Sequence, residues 1–134
     1  MSIQDFDFAT KTVKNPKRNQ VFAAIDNNSD LSTLCDVLRE KRFHVVGKAT
    51  DYVAALELVR KHKVGILFVD ADFQGIEVAS MMDKLKINYP EVRVVIISGS
   101  PTRELVEAAT SRDAIGFLTK PLNKNAILKI TKLL

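Results

Sequence analysis

The chain has 134 residues, of which 46% are hydrophobic and 27% are charged, and this length and composition are typical of one globular domain. The formal net charge is +4, but four basic residues against two acids in residues 1–19 supply half of it, so the charge does not indicate a nucleic-acid interface. The single cysteine excludes an internal disulfide, and no apolar stretch is long enough to span a bilayer. We therefore expect a cytoplasmic protein that binds neither nucleic acid directly nor a membrane.

Residues 1–19 are polar and lack a clear periodicity, so we interpret them as a flexible leader before a domain at residues 20–134. In that domain, short apolar runs alternate with stretches whose apolar residues recur at helical spacing. This alternation predicts a three-layer α/β/α fold with a five-stranded parallel sheet. The strands are predicted near residues 20–25, 43–48, 65–69, 92–97 and 115–119. The first three helices are predicted near residues 30–41, 51–62 and 76–88. The fourth helix is predicted to begin with Pro101 as its first helical residue, and the fifth to begin after a cap at Asn123.

Four polar residues each follow one of the predicted strands, at its carboxyl end. They are Asp26, Asp70, Ser98 and Lys120. Ligands of open parallel α/β sheets bind outside the carboxyl ends of the strands. The placement therefore predicts that two carboxylates, a hydroxyl and an ammonium group meet at one edge of the sheet.

These four groups are sufficient for phosphorylation of a carboxylate. Oxygen ligands of this kind suit Mg²⁺, which uses one or two carboxylates and keeps several waters. A carboxylate can also act as the nucleophile that forms an aspartyl phosphate. The ammonium of Lys120 can neutralise phosphoryl oxygens, and the hydroxyl of Ser98 can donate a hydrogen bond to them.

Three stretches of the sequence resemble the receiver domain of two-component response regulators. They are residues 69–75 (VDADFQG), which resemble the phospho-acceptor loop, residues 94–99 (VVIISG), which resemble the fourth strand and its hydroxyl switch, and residues 116–121 (GFLTKP), which resemble the Lys-Pro signature. The resemblance covers about residues 20–134 and implies the strand order 2-1-3-4-5.

The resemblance implies that Asp70 accepts the phosphoryl group, and that Asp26, Asp70 and the backbone carbonyl of Asp72 hold Mg²⁺. The family usually has two adjacent acids after its first strand, whereas here Asp26 is followed by Asn27. Asn27 is neutral and ligates only through its carbonyl oxygen, so it is a candidate further ligand and its presence predicts weaker binding of Mg²⁺.

The resemblance also assigns the groups that respond to phosphorylation. Ser98 and Lys120 are expected to contact the phosphoryl group, and Ser98 and Phe117 are expected to form the switch. The Lys120–Pro121 bond is expected to be cis. Gly99, which lacks a side chain, is expected to leave the mouth of the pocket open.

By the same resemblance, the expected phosphodonor is a histidine kinase or a phosphotransfer protein. The output surface is expected on the fourth helix, fifth strand and fifth helix, where a downstream protein or a second copy of the chain binds. The expected chemistry is limited to self-phosphorylation and dephosphorylation, so the protein is not predicted to be an enzyme in the usual sense.

Two other interpretations remain open at this stage. The first is a degenerate receiver that acts as a phosphorylation-independent interaction module, which Asn27 favours and the intact Asp70, Ser98 and Lys120 oppose. The second is a flavodoxin-like domain for a flavin or nucleotide, but residues 26–29 (DNNS) do not form a glycine-rich phosphate loop.

Overall fold

The structure is a computed structural model that describes residues 6–7, 12–13, 20–49, 57, 59–61, 64–72 and 77–134. Strands and helices alternate along the chain, as the sequence predicts. The strands of the central sheet are β1 Gln20–Ala24, β2 His44–Ala49, β3 Ile66–Asp70, β4 Arg93–Ser98 and β5 Gly116–Thr119. The helices are α1 Asn28–Glu40, α2 (described at residues 57 and 59–61), α3 Val78–Asn88, α4 Arg103–Ser111 and α5 Lys124–Thr131.

The five strands form a parallel sheet in the order β2-β1-β3-β4-β5. This confirms the predicted fold class and the order 2-1-3-4-5. The register pairs Asp70 at the end of β3 with Ile97, and Ser98 at the end of β4 with Thr119. The carboxyl ends of β3, β4 and β5 therefore lie side by side, and the residues that follow them leave the sheet at one edge.

The middle of the sheet is buried on both faces because β1, β3 and β4 carry apolar side chains along nearly their whole length. In β1 and at its end, Val21, Ala23 and Ile25 belong to one core cluster, and Phe22 and Ala24 belong to the other. The first cluster is covered by apolar residues of α1 and α5, and the second by those of α2, α3 and α4. The side chains of these three strands thus meet a helix layer on both faces of the sheet, which accounts for their unbroken apolar runs.

The start of α4 differs from the prediction. The helix begins at Arg103 and is capped by Thr102, whose Oγ1 accepts a hydrogen bond from the Leu105 backbone N–H at 3.1 Å. Pro101 therefore precedes the cap, and its prediction as the first helical residue is wrong, because the hydroxyl of Thr102 satisfies the first turn one residue later. The predicted cap of α5 is confirmed, since Asn123 Oδ1 accepts from the Ala126 N–H at 2.9 Å.

Phe6–Asp7 pairs antiparallel with Thr12–Val13 in a small ladder that the sequence analysis does not predict. In the parts of the chain that the structure describes, no helix combines the length and the apolar character needed to cross a membrane.

Candidate functional site

Asp70 is the last residue of β3, and its side chain has no exposed surface. Its Oδ2 lies 2.6 Å from the Nζ of Lys120, and its Oδ1 accepts a hydrogen bond from the Asp72 backbone N–H at 2.9 Å. The amide N–H of Asp26 approaches Oδ2 at 3.5 Å. A carboxylate without exposure to solvent is costly unless it is paired, and here a cation and backbone donors compensate it.

Lys120 follows β5, and its position is set by the backbone. Its N–H donates to the carbonyl oxygen of Ser98 at 2.9 Å, and the Lys120–Pro121 bond is cis, as expected. The side chain is 19% exposed, and its Nζ lies 3.2 Å from Asp72 Oδ2 in addition to the contact with Asp70. Burial alone would lower the pKa of Lys120, but hydrogen bonds and the charges of Asp70 and Asp72 raise it above its ordinary value. Lys120 is therefore a fixed cation of this site.

The side chain of Asp72 is bound more closely than the sequence suggests. Its Oδ1 accepts from the hydroxyl of Ser98 at 2.8 Å, and its Oδ2 accepts from the Gly99 N–H at 2.8 Å and faces Lys120. Burial raises the pKa of Asp72, but the hydrogen bonds from Gly99, Ser98 and Lys120 outweigh it, so the pKa is lowered from its usual value. Three donors of different kinds thus converge on one carboxylate.

Gly99 lies at the exposed rim of the pocket, beside the side chains of Asp72 and Lys120. A Cβ at this position would lie 3.3 Å from Asp72 Oδ2 and 3.5 Å from Lys120 Cδ. The space beside the glycine is occupied by these two side chains. The absence of a side chain at position 99 allows the backbone N–H to reach the carboxylate, as the hydrogen bond from Gly99 shows.

Ser98 and Phe117, the two predicted switch residues, lie on neighbouring strands. Ser98 is fully buried, and its Oγ also accepts a hydrogen bond from the Ser100 N–H at 3.1 Å. Phe117 is half-buried in β5 and packs against the core cluster that α3 and α4 cover. The hydroxyl is therefore within the polar pocket, and the aromatic ring lies on one face of the sheet.

Asp26 and Asn27 occupy the end of β1, at the side of the pocket. Asp26 is exposed, and the Oδ1 of Asn27 caps α1 by accepting from the Asp30 N–H at 3.0 Å. No three His, Cys, Asp or Glu side chains among the described residues form a group that would hold a metal ion alone. The carboxylates of Asp26 and Asp70 with backbone carbonyl oxygens still match a cation that uses one or two carboxylates and several waters, so this donor set fits Mg²⁺.

Asp30 is a buried acid that the sequence analysis missed. Its Oδ1 accepts a hydrogen bond from the Leu122 N–H at 3.0 Å, so the first turn of α1 is tied to the segment directly after Lys120 and Pro121. The only signal in the sequence is an acid in the first turn of a helix, which is common and does not point to a partner 92 positions away.

The comparison with protein families agrees with this arrangement. The family described as "Response regulator receiver domain" matches residues 21–132. The chain belongs to this family. It is thus a receiver domain of two-component signalling, as the sequence motifs indicate.

A relative and two solved structures illustrate the similarity. The nitrogen assimilation regulatory protein NtrX of Azorhizobium caulinodans is 31% identical over 110 residues, which are 81% of this chain and 24% of NtrX. The signal receiver domain of the response regulator NarL from Mycobacterium tuberculosis has a TM-score of 0.74 at 26% identity and covers 87% of this chain and 95% of that one. The chain therefore spans about a quarter of the length of NtrX and nearly all of the NarL receiver domain.

A further similar structure carries a modified site. It is a response regulator protein from Burkholderia pseudomallei with a phosphorylated aspartic acid, a calcium ion and citrate. It has a TM-score of 0.69 at 25% identity and covers 83% of this chain and 65% of that one.

Proposed function

We propose that this receiver domain is a phosphorylation-dependent switch and that Asp70 is its phospho-acceptor. The phosphoryl group comes from a histidine kinase or a histidine phosphotransfer protein. The observation that carries the proposal is the ion pair between the fully buried Asp70 carboxylate and Lys120 at 2.6 Å, at the sheet edge where Ser98 and Gly99 offer further donors. The phosphorylated aspartic acid of the Burkholderia pseudomallei protein supports the same chemistry here.

In the proposed transfer, a carboxylate oxygen of Asp70 attacks the phosphorus atom of the donor's phosphohistidine. The new O–P bond forms as the P–N bond breaks, and the electron pair of the broken bond stays on the imidazole nitrogen. Lys120 stays charged and neutralises phosphoryl oxygens, and the hydroxyl of Ser98 and the N–H of Gly99 donate hydrogen bonds to them. These residues position and neutralise the group, which is most of what phosphoryl transfer needs.

The same site is proposed to bind Mg²⁺ through the carboxylates of Asp26 and Asp70 and the backbone carbonyl of Asp72. When bound, the cation neutralises phosphoryl charge. Asn27, which the sequence suggests as a further ligand, is left out of the proposed set because its Oδ1 caps α1. The lack of a second acid beside Asp26 predicts that Mg²⁺ binds more weakly than at a site with adjacent acids.

The proposed output is a change in the surface formed by α4, β5 and α5. Ser98 lies at the end of β4, next to β5. Movement of its hydroxyl toward a phosphoryl group on Asp70 changes the space available to Phe117 on β5, and thereby the face that β5 shares with its neighbouring helices. The partner of that face is a downstream protein or a second copy of the chain.

The test is phosphorylation by acetyl phosphate in the presence of Mg²⁺, followed by intact-protein mass spectrometry. The expected result is a phosphoryl mass gain in the wild type and in Asp83→Asn, an acid on the exposed side of α3, but none in Asp70→Asn. An equal gain in Asp70→Asn would show that another residue is the acceptor. No gain with acetyl phosphate or a histidine kinase would favour the phosphorylation-independent interaction module.

A further inference from the structure

The donors proposed to bind the phosphoryl group already bind an anion that belongs to the chain. The hydroxyl of Ser98, the N–H of Gly99 and the ammonium of Lys120 all contact the side-chain carboxylate of Asp72, at 2.8, 2.8 and 3.2 Å. Two of these donors are neutral and the third is a cation, and together they form a small anion-binding site. In this structure a carboxylate fills the place where a phosphoryl group needs the same hydrogen bonds.

The Asp72 carboxylate and a phosphoryl group on Asp70 cannot share these donors. The N–H of Gly99 is a single donor, and the hydroxyl of Ser98 has one hydrogen to donate. Both anions are negatively charged, so they also repel each other at close range. The side chain of Asp72 is 38% exposed, so part of it already contacts solvent.

We propose that the side chain of Asp72 is an internal ligand of the phosphoryl-binding donors and competes with the phosphoryl group for them. This inference rests on the proposed function of Asp70. It gives the Asp72 side chain a regulatory role that is separate from the backbone carbonyl proposed as a ligand of Mg²⁺. The carboxylate keeps Ser98 hydrogen-bonded before phosphorylation, and it has to leave when a phosphoryl group arrives.

The consequence is a measurable penalty on binding any phosphoryl-like anion. When only a fraction of molecules has the donors free, the apparent affinity of the ligand falls by that fraction. Loss of the Asp72 carboxylate removes the penalty and leaves the donors available. We expect an apparent Kd for beryllofluoride about tenfold lower, which corresponds to about 1.4 kcal/mol.

The experiment is a titration of the full chain with beryllofluoride at a concentration of Mg²⁺ that saturates each variant, as established by a separate Mg²⁺ titration. The variants are Asp72→Ala, which removes the carboxylate, and Asp72→Asn, which keeps the size of the side chain and removes the charge. The matched control is Glu104→Gln, which removes one charge from an exposed acid in the first turn of α4. Binding is followed by NMR, which also reports whether each variant is folded.

Tighter binding in Asp72→Ala and Asp72→Asn, with Glu104→Gln unchanged, is the expected result. If the wild type binds and the two Asp72 variants bind equally or more weakly, the competition is refuted while the function of Asp70 stands. If Glu104→Gln binds beryllofluoride as much more tightly as the Asp72 variants do, the effect comes from the overall charge of the protein and the inference also fails. If neither the wild type nor any variant binds beryllofluoride, the proposed function fails and this inference fails with it.

A second measurement tests the contact itself without any added ligand. The amide proton of Gly99 donates to a carboxylate, so its resonance is expected to move upfield in Asp72→Ala and to stay in place in Glu104→Gln. An unchanged Gly99 resonance in Asp72→Ala would show that the donors are free in the wild type, which would overturn the proposal.

Discussion

The carboxyl ends and the amino ends of the sheet strands, called here the carboxyl edge and the amino edge, differ in how far their charged side chains are exposed to solvent. At the carboxyl edge, Asp70 and Ser98 are fully buried, and the nearest cation touches Asp70 at 2.6 Å. At the amino edge there is a cavity of about 470 Å³, lined in part by Tyr89 and Pro90, and the ion pair Lys86–Asp113 beside it is 66% and 81% exposed. The cavity therefore lies at the opposite end of the strands from the proposed phosphorylation site, where the charged groups are buried and several donors converge on them.

The energetic reason is desolvation. A charge pair in contact with water gains little, because water already solvates both partners and side-chain freedom is lost when they pair. A buried carboxylate has lost that solvation, so removal of its partner leaves it uncompensated. The same kind of substitution at the two ends of the strands should therefore give different results, and two pairs of variants and one further single variant test this difference.

The largest effect is expected from Lys120→Met. The substitution leaves the buried Asp70 without its closest cation, and we expect a loss of about 3 kcal/mol in the free energy of unfolding. Lys86→Met, the same change at the exposed amino edge, should cost less than about 0.5 kcal/mol. Urea denaturation measures both. The double variant Asp70→Asn/Lys120→Met should recover most of the loss, and equal effects of the two single lysine variants would remove the distinction between the edges.

An intermediate effect is expected from Asp30→Ala. Its carboxylate accepts from the Leu122 N–H, and loss of this acceptor leaves a buried donor unsatisfied, which costs about 2 kcal/mol. Asp83→Ala breaks an exposed ion pair with Arg112 and should cost less than about 1 kcal/mol. Thermal or urea unfolding of the two variants provides the comparison. A cost at Asp83 as large as that at Asp30 would show that burial of the acid is not the deciding factor.

The smallest effect is expected from Arg103→Ala. Arg103 pairs with Glu107 in α4, whose amino end is on the same side of the sheet as the pocket, but the two side chains are 88% and 64% exposed. We expect a loss of about 0.3–0.5 kcal/mol, as for exposed helical ion pairs. A loss above about 1.5 kcal/mol would mean that position at the carboxyl edge, and not burial, sets the strength of an ion pair.

The fold, and the close placement of Asp70, Ser98 and Lys120, can be predicted from the sequence. Buried parallel strands are apolar throughout, and the polar residue that ends each run leaves the sheet at the same edge, so the spacing alone brings the three together. The loop after β3 was harder to predict, because the direction of the Asp72 side chain depends on donors from two other strands. Asp30 was missed for the same reason, since its partner is distant in the chain.

Helix starts show a different limit of sequence reasoning. The sequence predicts Pro101 as the first residue of α4, and only the geometry of the turn decides that the hydroxyl of Thr102 is the cap. Asn27 is predicted only as a candidate ligand beside the pocket, and the structure shows that its Oδ1 caps α1.

The central claim is that the buried carboxylate at position 70 carries the phosphoryl group, and the most direct test is to locate the modification. The protein is phosphorylated with acetyl phosphate and Mg²⁺, the acyl phosphate is reduced with borohydride, and peptides are sequenced by mass spectrometry. We expect homoserine in place of aspartate at position 70 and unchanged aspartate at positions 26 and 72. Homoserine at position 26 or 72, with position 70 unmodified, would contradict it.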